Sequence, residues 1–342
     1  MKNVLVIRMS ALGDVAMTIP IIYSVAKAYP QTQFVIITQP FPADFFINAP
    51  YNIDVLPIDI KKEYNGFLGT LRLAWELRKM RFDAVADLHD VLRSKIIRLL
   101  FAGIKCAKID KGRSEKKALV KNPSQRKQLK SSFERYTEVF EELGFSFTPD
   151  FTSVFENFPA QVDEPWRKPS GSVWIGFAPF SKHKGKIYPE QKCKDLIQGL
   201  LAADPRYKVF LFGAGKLETE MLDSWKDIDP QRVVSLASKM KIRQEICFMS
   251  QLDVMISMDS ANMHLASLVG IPVVSIWGAT HPFAGFLGWN QDSRNALGLD
   301  IDCRPCSVFG NHPCKLGTYR CMNDLSEKLV IARIKALTEQ NH

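Results

Sequence analysis

The fold is decided by the segment Val4-Leu5-Val6-Ile7-Arg8-Met9-Ser10-Ala11-Leu12-Gly13-Asp14, near the start of a chain of 342 residues. Its four leading apolar residues predict a buried β-strand, because they form a short run that a charged residue ends. The glycine permits a tight turn, after which a helix is expected through residue 29. The run is too short for a secretion signal, and no small-residue cleavage site follows it. The segment is therefore predicted to begin an α/β unit.

The same alternation of short apolar runs and helical stretches continues along the chain. Further strands are predicted at 34–37, 53–58 and 84–86, and helices at 67–79, 92–101 and 132–143. The predicted apolar stripe of the helix at 67–79 consists of Leu68, Leu71, Ala74, Trp75 and Leu77. The pattern restarts at 173–176, with later strands at 209–212, 233–236, 254–256 and 273–276. This alternation indicates parallel sheets with helices on both faces.

Length and proline content predict two domains. At roughly 150 residues per domain the chain holds about two, and prolines cluster between its halves, at Pro149, Pro159, Pro165 and Pro169. We expect Rossmann-like α/β domains at 1–160 and 172–324, joined by a linker at 161–171. A helix within 325–342 is expected to pack back on the N-terminal domain.

Composition excludes several classes of protein. The hydrophobic fraction is 46% and the charged fraction 24%, which is typical of globular domains and excludes disordered and fibrous chains. No apolar run reaches the roughly 18 residues of a membrane-spanning helix. The seven cysteines are not an even disulfide set, which favours a reducing, cytoplasmic compartment.

Positive charge is concentrated in one stretch of the chain. The net charge is +9, and residues 105–135 contain eleven Lys or Arg but only three acidic residues. This excess indicates an anionic partner, such as a phosphate, a carboxylate-rich sugar, an anionic lipid surface or a nucleic acid. Aromatic residues are sparse in the stretch, which argues against recognition of nucleic acids by base stacking.

Polar loops follow the predicted strands of the first half. Asp14 opens a helix after the first strand and is either a helix cap or a general base that takes a proton from a hydroxyl. A helix N-terminus lowers the basicity of a carboxylate, which favours the cap. The loop Asp87-Leu88-His89-Asp90-Val91-Leu92-Arg93-Ser94 follows a neighbouring strand, so its polar groups are expected beside Asp14.

Three loops of the second half have the composition of an anion site. Residues 179–189 carry Ser181 and three lysines directly after a strand, as phosphate binding requires. Asp259 and Ser260 precede a helix whose free N–H groups are expected to face a diphosphate, with His264 about one turn further in. The loop at 277–282 lies at the same sheet edge. Gly213-Ala214-Gly215 lacks a third glycine and argues against a dinucleotide cofactor.

Together these loops resemble the motifs of glycosyltransferase family 9, the ADP-heptose:lipopolysaccharide heptosyltransferases with the GT-B fold. The matching segments, in chain order, are 8–14, 87–94, Lys186-Ile187-Tyr188-Pro189, Asp259-Ser260 with His264-Leu265-Ala266, 270–272 and Gly278-Ala279-Thr280. They span nearly the whole chain. The resemblance implies two Rossmann-like domains facing each other across a cleft, with acceptor binding by the N-terminal domain and nucleotide-sugar binding by the C-terminal domain.

The resemblance also implies a role for each site residue. Asp14 is the catalytic base of an inverting transfer, in which an acceptor hydroxyl displaces the nucleotide diphosphate. The donor-binding residues are Ser181 and Lys186 for the phosphates, Ser260 and Ala261 for the diphosphate, Glu218 for the ribose, Met240 for the adenine, and Asp259, His264 and Thr280 around the sugar or diphosphate. The residues that face the anionic acceptor are Arg93, Ser94, Arg113, Lys116 and Lys117.

The implied function is heptose transfer from an ADP-sugar to a lipopolysaccharide core acceptor. No cofactor is obligatory for catalysis, and the enzyme is expected in the cytoplasm, peripheral on the inner membrane. The sequence departs from the family at Tyr188, where Trp is usual, at Ala261-Asn262, where Gly-Leu is usual, and at His89-Asp90, where Gln-Gly is usual. These departures leave open another donor sugar or acceptor. Nucleic-acid or anion binding by the basic stretch 105–135 is the alternative from another class.

The cysteines of the C-terminal region form a separate cluster. Cys303, Cys306, Cys314 and Cys321 have the spacing C-x2-C-x7-C-x6-C. In a reducing compartment this spacing is compatible with a structural tetrahedral zinc site. Disulfides and free thiols are the alternatives.

Overall fold

The computed structural model describes residues 1–122 and 126–339, which divide into two compact units. The first unit comprises Met1–Lys111 and Ser131–Phe158, and the second comprises Gly112–Lys130 and Pro159 onwards. The chain passes from the first unit to the second between Phe158 and Pro159, two residues before the predicted linker at 161–171 begins. The prediction that residues 1–160 form one domain was wrong for 112–130, because this excursion packs with the second unit.

The first unit is a five-stranded parallel sheet covered by helices. Its strands and helices are β1 (Asn3–Ile7), α1 (Leu12–Ala28), β2 (Gln33–Thr38), α2 (Pro40–Ala43), β3 (Ile53–Pro57), α3 (Gly66–Lys79), β4 (Ala84–Asp87), α4 (Leu92–Leu100), β5 (Lys105–Lys108) and α6 (Ser132–Leu143). The strand order is β3-β2-β1-β4-β5, with every pair parallel.

The first strand lies at the centre of this sheet. Val6 is aligned with Ile36 on one side and Ala86 on the other, and the residues from Val4 to Ile7 are fully buried. A strand that is buried on both faces has a continuous run of apolar residues. This is why the first strand could be predicted from the sequence. The register also places Ile7 beside Asp87, so the loops after β1 and β4 begin at the same sheet edge.

The second unit repeats the design with six strands. Its elements are α5 (Arg113–Lys121), β6 (Val173–Ala178), α7 (Glu190–Ala203), β7 (Tyr207–Leu211), α8 (Lys216–Ser224), β8 (Val233–Ser235), α9 (Ile242–Met249), β9 (Val254–Met258), α10 (Ala261–Leu268), β10 (Val273–Ile276), β11 (Ala296–Leu297), α11 (Arg320–Asn323) and α12 (Glu327–Glu339). The strand order is β11-β10-β9-β6-β7-β8, again with every pair parallel.

The C-terminal helix α12 belongs to the core of the second unit. Val330 and Ile334 are fully buried in one cluster with Leu196 and Leu200 of α7. The Tyr207 and Thr338 hydroxyls are also hydrogen-bonded at 2.6 Å. The prediction that this helix packs on the N-terminal domain was therefore wrong, because its apolar face is covered by α7. Residues 340–342 of the predicted segment lie outside the described residues.

The sequence did not reveal two elements of the basic stretch 105–135. Strand β5 has only Cys106 and Ala107 between its two terminal lysines, so its apolar run is too short to stand out. Helix α5 buries Leu119 in a small cluster with Leu129 and Ala284 of the same unit. Residues 123–125 of this stretch lie outside the described residues.

The apolar stripe predicted on α3 is only partly the core face. Ala74 and Leu77 are buried as expected, together with Leu73. Leu68 and Trp75, however, are 78% and 58% exposed. The helix thus has apolar residues on both its core face and its outer face. The predicted stripe wrongly combined residues of the two faces. No helix among the described residues is long and apolar enough to cross a membrane.

The packing of α12 predicts a stability difference between two positions on that helix. Ile334→Ala should lower the free energy of unfolding by about 2–4 kcal/mol, because it leaves a cavity in the core. Leu329→Ala, at a position 53% exposed, should change it by about 0.5 kcal/mol or less. Urea unfolding followed by circular dichroism measures both. Equal effects of the two substitutions would contradict this account of the helix.

Candidate active-site residues of the two units

At the edge of the first unit, Asp14 forms an ion pair with a buried arginine. The Asp14 carboxylate lies 2.6 Å from the Arg8 guanidinium, and the two side chains are 35% and 6% exposed. Asp14 Oδ2 also accepts a hydrogen bond from the Ala11 backbone N–H, at 3.2 Å. The carboxylate therefore caps α1, as one of its two predicted roles required. It is also exposed enough for a substrate hydroxyl to approach it.

Arg8 is held in place from within the first unit. Its guanidinium donates to the Leu88 carbonyl oxygen at 2.5 Å and lies over the Tyr136 ring, 5.9 Å from the centroid. A buried guanidinium needs such partners, because an unpaired buried charge is strongly destabilising. Arg8 thus connects the loop after β1 with the loop after β4 and fixes the position of Asp14. The motif 8–14 contained this residue, but its burial was not legible in the sequence.

The loop after β4 is organised by the fully buried carboxylate of Asp87. One carboxylate oxygen accepts from the backbone N–H groups of His89 and Asp90, at 2.9 and 2.8 Å. The other lies 2.9 Å from Arg98, which also contacts the Asp90 carboxylate at 3.2 Å. Arg98 was not identified from the sequence, because it lies beyond the polar loop 87–94, within helix α4. The signal that could have found it is its position on α4, two turns after Asp90.

His89 is a neutral histidine at this edge. Its Nε2 lies 3.2 Å from the Ser10 hydroxyl, and the side chain is 8% exposed. Burial, reinforced by the positive charge of Arg8, lowers the pKa of His89 to about 3. The ring is therefore uncharged at neutral pH and bridges the β1 and β4 loops through a hydrogen bond.

The predicted acceptor residues Arg93 and Ser94 open helix α4. The Arg93 guanidinium donates to the Tyr64 carbonyl oxygen at 2.6 Å and is half-buried. The Ser94 hydroxyl is buried and is hydrogen-bonded to both the N–H and the carbonyl oxygen of Val91, each at 3.0 Å. Ser94 is thus a capping residue of the helix, whereas Arg93 stands at the helix start beside the Asp87 loop.

The remaining predicted acceptor residues lie on α5, in the second unit. Arg113 and Lys117 are exposed. Lys116 is buried, and its ammonium group lies 4.1 Å from the centroid of the Phe286 ring. Lys116 therefore makes a cation–π contact within the second unit, which leaves Arg113 and Lys117 as the accessible cations of the predicted set.

In the second unit, three loops converge on the Asp259 carboxylate. Asp259 Oδ2 accepts a hydrogen bond from the Thr280 hydroxyl at 2.7 Å and pairs with the Lys186 ammonium at 2.8 Å. The Ser181 hydroxyl donates to the Asp259 carbonyl oxygen at 3.2 Å. The loops after β6, β9 and β10 therefore bring together four of the predicted donor residues.

The N-terminus of α10 lies beside this cluster. Ser260 is the residue before the helix and has extended backbone geometry, but its side chain makes no capping hydrogen bond to the helix. The Ser260 hydroxyl is instead 3.2 Å from the Ser257 hydroxyl. The Ser260 hydroxyl is therefore engaged with Ser257 and does not cap the helix. The first N–H groups of a helix lack partners within it, so this start suits an anion.

The other predicted donor residues occupy neighbouring positions of the second unit. The Glu218 carboxylate, in the first turn of α8, accepts from the Ala214 backbone N–H at 2.9 Å. Ala261 begins α10, and His264 is buried one turn further in. Met240 is half-buried just before α9. The structure thus places these residues on loops and helix starts that follow strands β7, β8 and β9.

Arg304 supports the loop after β10 and was missed in the sequence. Its buried guanidinium donates to the carbonyl oxygens of Gly278, Thr280 and Leu299 at 2.9–3.2 Å. Burial lowers its pKa to about 10, which still leaves it charged at neutral pH. The carbonyl oxygens therefore compensate the buried charge, and the arginine in turn holds the backbone on which Thr280 stands. In the sequence, Arg304 is marked only by its position between Cys303 and Cys306.

The cysteine cluster lies against the same loop. Cys303, Cys306, Cys314 and Cys321 line one cavity, and the Cys306 N–H donates to the Ala279 carbonyl oxygen at 3.0 Å. All seven cysteines are free thiols. Among residues 1–122 and 126–339, no group of three or more His, Cys, Asp or Glu side chains is arranged to hold a metal ion. The predicted zinc site is therefore not supported. The contact that the structure shows is the hydrogen bond from Cys306, which supports the loop at Ala279.

Comparison with known proteins agrees with this geometry. The family described as Glycosyltransferase family 9 (heptosyltransferase) matches residues 70–316, which include the Asp87 loop and the whole Asp259 cluster. The chain belongs to glycosyltransferase family 9. The resemblance inferred from the motifs is thus confirmed, and the protein is a glycosyltransferase.

Relatives of this glycosyltransferase cover nearly its full length. Lipooligosaccharide heptosyltransferase 2 of Campylobacter jejuni is 25% identical over 336 residues, which is 96% of each chain. The family 9 glycosyltransferase structure from Veillonella parvula has a TM-score of 0.74 at 19% identity and covers 99% of this chain and 97% of its own. The Escherichia coli ADP-heptose lps heptosyltransferase II structure has a TM-score of 0.68 at 19% identity, covering 100% and 99%. The predicted GT-B fold is confirmed.

Burial of His89 predicts a pH-dependent stability. Its pKa in the folded chain lies below its ordinary value of 6.5, so the unfolded chain binds the extra proton and stability falls as the pH drops from 6.5 towards 3. Between pH 7 and pH 5 His89 should account for about 2 kcal/mol of lost unfolding free energy. Urea unfolding at both pH values should show a correspondingly smaller loss in His89→Gln. His312→Gln, at an exposed position, is the control; a loss in His89→Gln as large as in the parent chain would refute the assignment.

Proposed function

We propose that this family 9 glycosyltransferase transfers heptose from ADP-heptose to a lipopolysaccharide core acceptor, with inversion at the anomeric carbon. The observation that carries the proposal is the cluster of Lys186, Asp259 and Thr280 beside the start of α10. This cluster offers an anion site on a sheet edge, where open α/β sheets bind their ligands. That the sugar is heptose, the nucleotide ADP and the acceptor lipopolysaccharide is inferred from the names of the relatives.

The second unit is assigned to the donor. Its diphosphate would accept hydrogen bonds from the first N–H groups of α10, at Ala261 and beyond, and would pair with Lys186. Both groups carry positive potential that is fixed before the reaction, so they stabilise the charge that grows on the departing ADP. Glu218 is assigned to the ribose hydroxyls and Met240 to the adenine ring. Asp259 and His264 then face the sugar or its phosphate.

The first unit is assigned to acceptor activation. An acceptor hydroxyl oxygen attacks the anomeric carbon, the bond from that carbon to the ADP phosphate oxygen breaks, and the hydroxyl proton passes to Asp14. The ion pair with Arg8 and the hydrogen bond from the Ala11 N–H hold the carboxylate in one orientation. ADP departs with the electron pair of the broken bond.

Anionic groups of the acceptor are assigned to exposed cations. Arg93 stands beside the Asp87 loop, and Arg113 and Lys117 are accessible on α5. Phosphates of a lipopolysaccharide core would meet such groups by charge-assisted hydrogen bonds. Because this acceptor is built on a lipid, we place the enzyme in the cytoplasm, at the cytoplasmic face of the inner membrane.

Asp14→Asn tests the base assignment. The turnover number for transfer from ADP-heptose should fall about 10²–10⁴-fold, because the amide cannot take the proton. Calorimetric binding of ADP-heptose should stay within about threefold, since Asp14 is assigned to the acceptor side. Asp44→Asn, at an exposed position of the same unit, should leave both values unchanged. Normal turnover of the Asp14→Asn enzyme would contradict the assignment.

Lys186→Met tests the donor site. ADP-heptose affinity should fall about 10–100-fold, because a charge-assisted contact to the diphosphate is lost. Lys182→Met removes an exposed lysine from the same loop and should have little effect. Calorimetric titration with ADP-, UDP- and GDP-sugars identifies the nucleotide that the enzyme binds. If none of these sugars binds but oligonucleotides bind tightly in low salt, the basic stretch 105–135 binds a nucleic acid instead.

A further inference from the structure

One face of the first unit exposes large apolar residues in a regular pattern. On α3, Leu68, Arg72, Trp75 and Lys79 follow one another at spacings of four, three and four residues, so they form one stripe along the helix. Leu68 is 78% exposed and Trp75 is 58% exposed. Both side chains therefore lie on the outer side of the helix, away from its core face, although the Lys79 ammonium rests on the Trp75 ring.

The neighbouring helix continues this surface. On α4, Leu92, Lys95 and Leu99 share a stripe, and the two leucines are 77% and 79% exposed. Helices α3 and α4 pack side by side on the same core cluster, to which α3 contributes Leu73, Ala74 and Leu77 and α4 contributes Ile97. The Arg78 guanidinium also donates to the Leu100 carbonyl oxygen. We call the outer surface formed by these two helices the α3–α4 face.

The charge on these two helices is mostly positive, although Arg98 is paired with the carboxylates of Asp87 and Asp90. Helices α3 and α4 contain six Lys or Arg residues, namely Arg72, Arg78, Lys79, Arg93, Lys95 and Arg98, and one acid, Glu76. Glu76 is neutralised locally, because it accepts from Arg72 at 2.8 Å and from the Tyr64 hydroxyl at 2.6 Å. The Lys79 ammonium lies 3.3 Å from the centroid of the Trp75 ring. The exposed Leu and Trp side chains thus share this face with the exposed cations Arg72, Lys79 and Lys95.

We infer that the α3–α4 face docks on an anionic lipid surface. Exposed Trp and Leu side chains gain by entering the boundary between headgroups and acyl chains, while Lys and Arg remain at the level of the lipid phosphates. Each cation near an anionic surface adds to the attraction, and the apolar residues add a part that salt does not screen. The mixture fits a lipid surface better than a nucleic acid, whose phosphates would leave the leucines without a partner.

The position of the face deepens the proposed function, on which this part of the inference rests. Helix α4 begins at Leu92, directly after the loop that Asp87 organises. An enzyme resting on the membrane through this face would hold the acceptor end of its first unit close to the bilayer. A glycolipid acceptor would then reach the site without leaving the membrane.

Vesicle co-sedimentation tests the inference. The protein should bind phosphatidylcholine vesicles that contain phosphatidylglycerol and bind pure phosphatidylcholine vesicles far less. The triple variant Leu68→Gln/Trp75→Gln/Leu99→Gln should bind the anionic vesicles about tenfold or more weakly. Lys79→Glu/Lys95→Glu should lose the salt-sensitive part of the binding. Leu329→Gln, an exposed leucine of the second unit, should bind as the parent chain does.

Tryptophan fluorescence supplies a local readout. Trp75 is the one tryptophan among the exposed large hydrophobic side chains, so emission should shift to the blue when anionic vesicles are added. Trp75→Phe should abolish this shift while co-sedimentation persists. Circular dichroism should be unchanged in every variant, because all the substituted side chains are exposed.

The outcomes separate this inference from the proposed function. Transfer to a detergent-dispersed acceptor should be unaffected in the triple variant, whereas transfer to the same acceptor in vesicles should fall. Vesicle binding without any transfer would overturn the heptosyltransferase proposal and leave the lipid surface standing. Normal vesicle binding by the triple variant would overturn the docking face. If the triple variant still binds vesicles but has a smaller mass than the parent protein in light scattering, the α3–α4 face joins two copies of the chain, and the docking inference is wrong.

Discussion

Burial of the central strands on both faces confines the polar chemistry of this protein to the ends of its strands. Val4 to Ile7 of β1 and all residues of β6 are buried, so a charged side chain along either stretch would need partners that the core does not contain. The carboxyl ends of β1, β4, β6, β9 and β10 are therefore where the motif residues lie. The two units repeat this arrangement with different polar groups. Asp14 and Asp87 mark the first edge, and Lys186 with Asp259 marks the second.

Three arginines hold the loops at these edges in place. Arg8 joins the loops after β1 and β4, Arg98 connects α4 to Asp87, and Arg304 holds the loop after β10 through three carbonyl oxygens. A guanidinium suits this task because its several N–H donors have fixed directions and its charge is retained in an apolar setting. The side chains that we propose to act on a substrate, such as Asp14 and Thr280, thus stand on a backbone held by these arginines.

Much of the fold and of the candidate site was predictable from the sequence. Doubly buried strands gave continuous apolar runs, and the glycine and capping residues marked the turns after them, so Asp14, Lys186 and Asp259 were placed on the correct loops. Their partners were not predictable, because Arg8, Arg98 and Arg304 look like ordinary surface residues until packing buries them. Helix α5 was not predicted for the same reason. Its lysines marked only a basic stretch, whereas Leu119 and Lys116 are buried within the second unit.

The sequence by itself determined the α/β alternation in both halves of the chain and the family, since the first depends on local apolar patterns and the second on short motifs. Only the tertiary structure decided which side of α3 faces the core, where α12 packs and that the four cysteines line a cavity without forming a metal cluster. The physical reason is that a helix with apolar residues on two sides has no preferred inner face of its own. Which side is buried depends on the neighbouring elements, and these are distant in the chain.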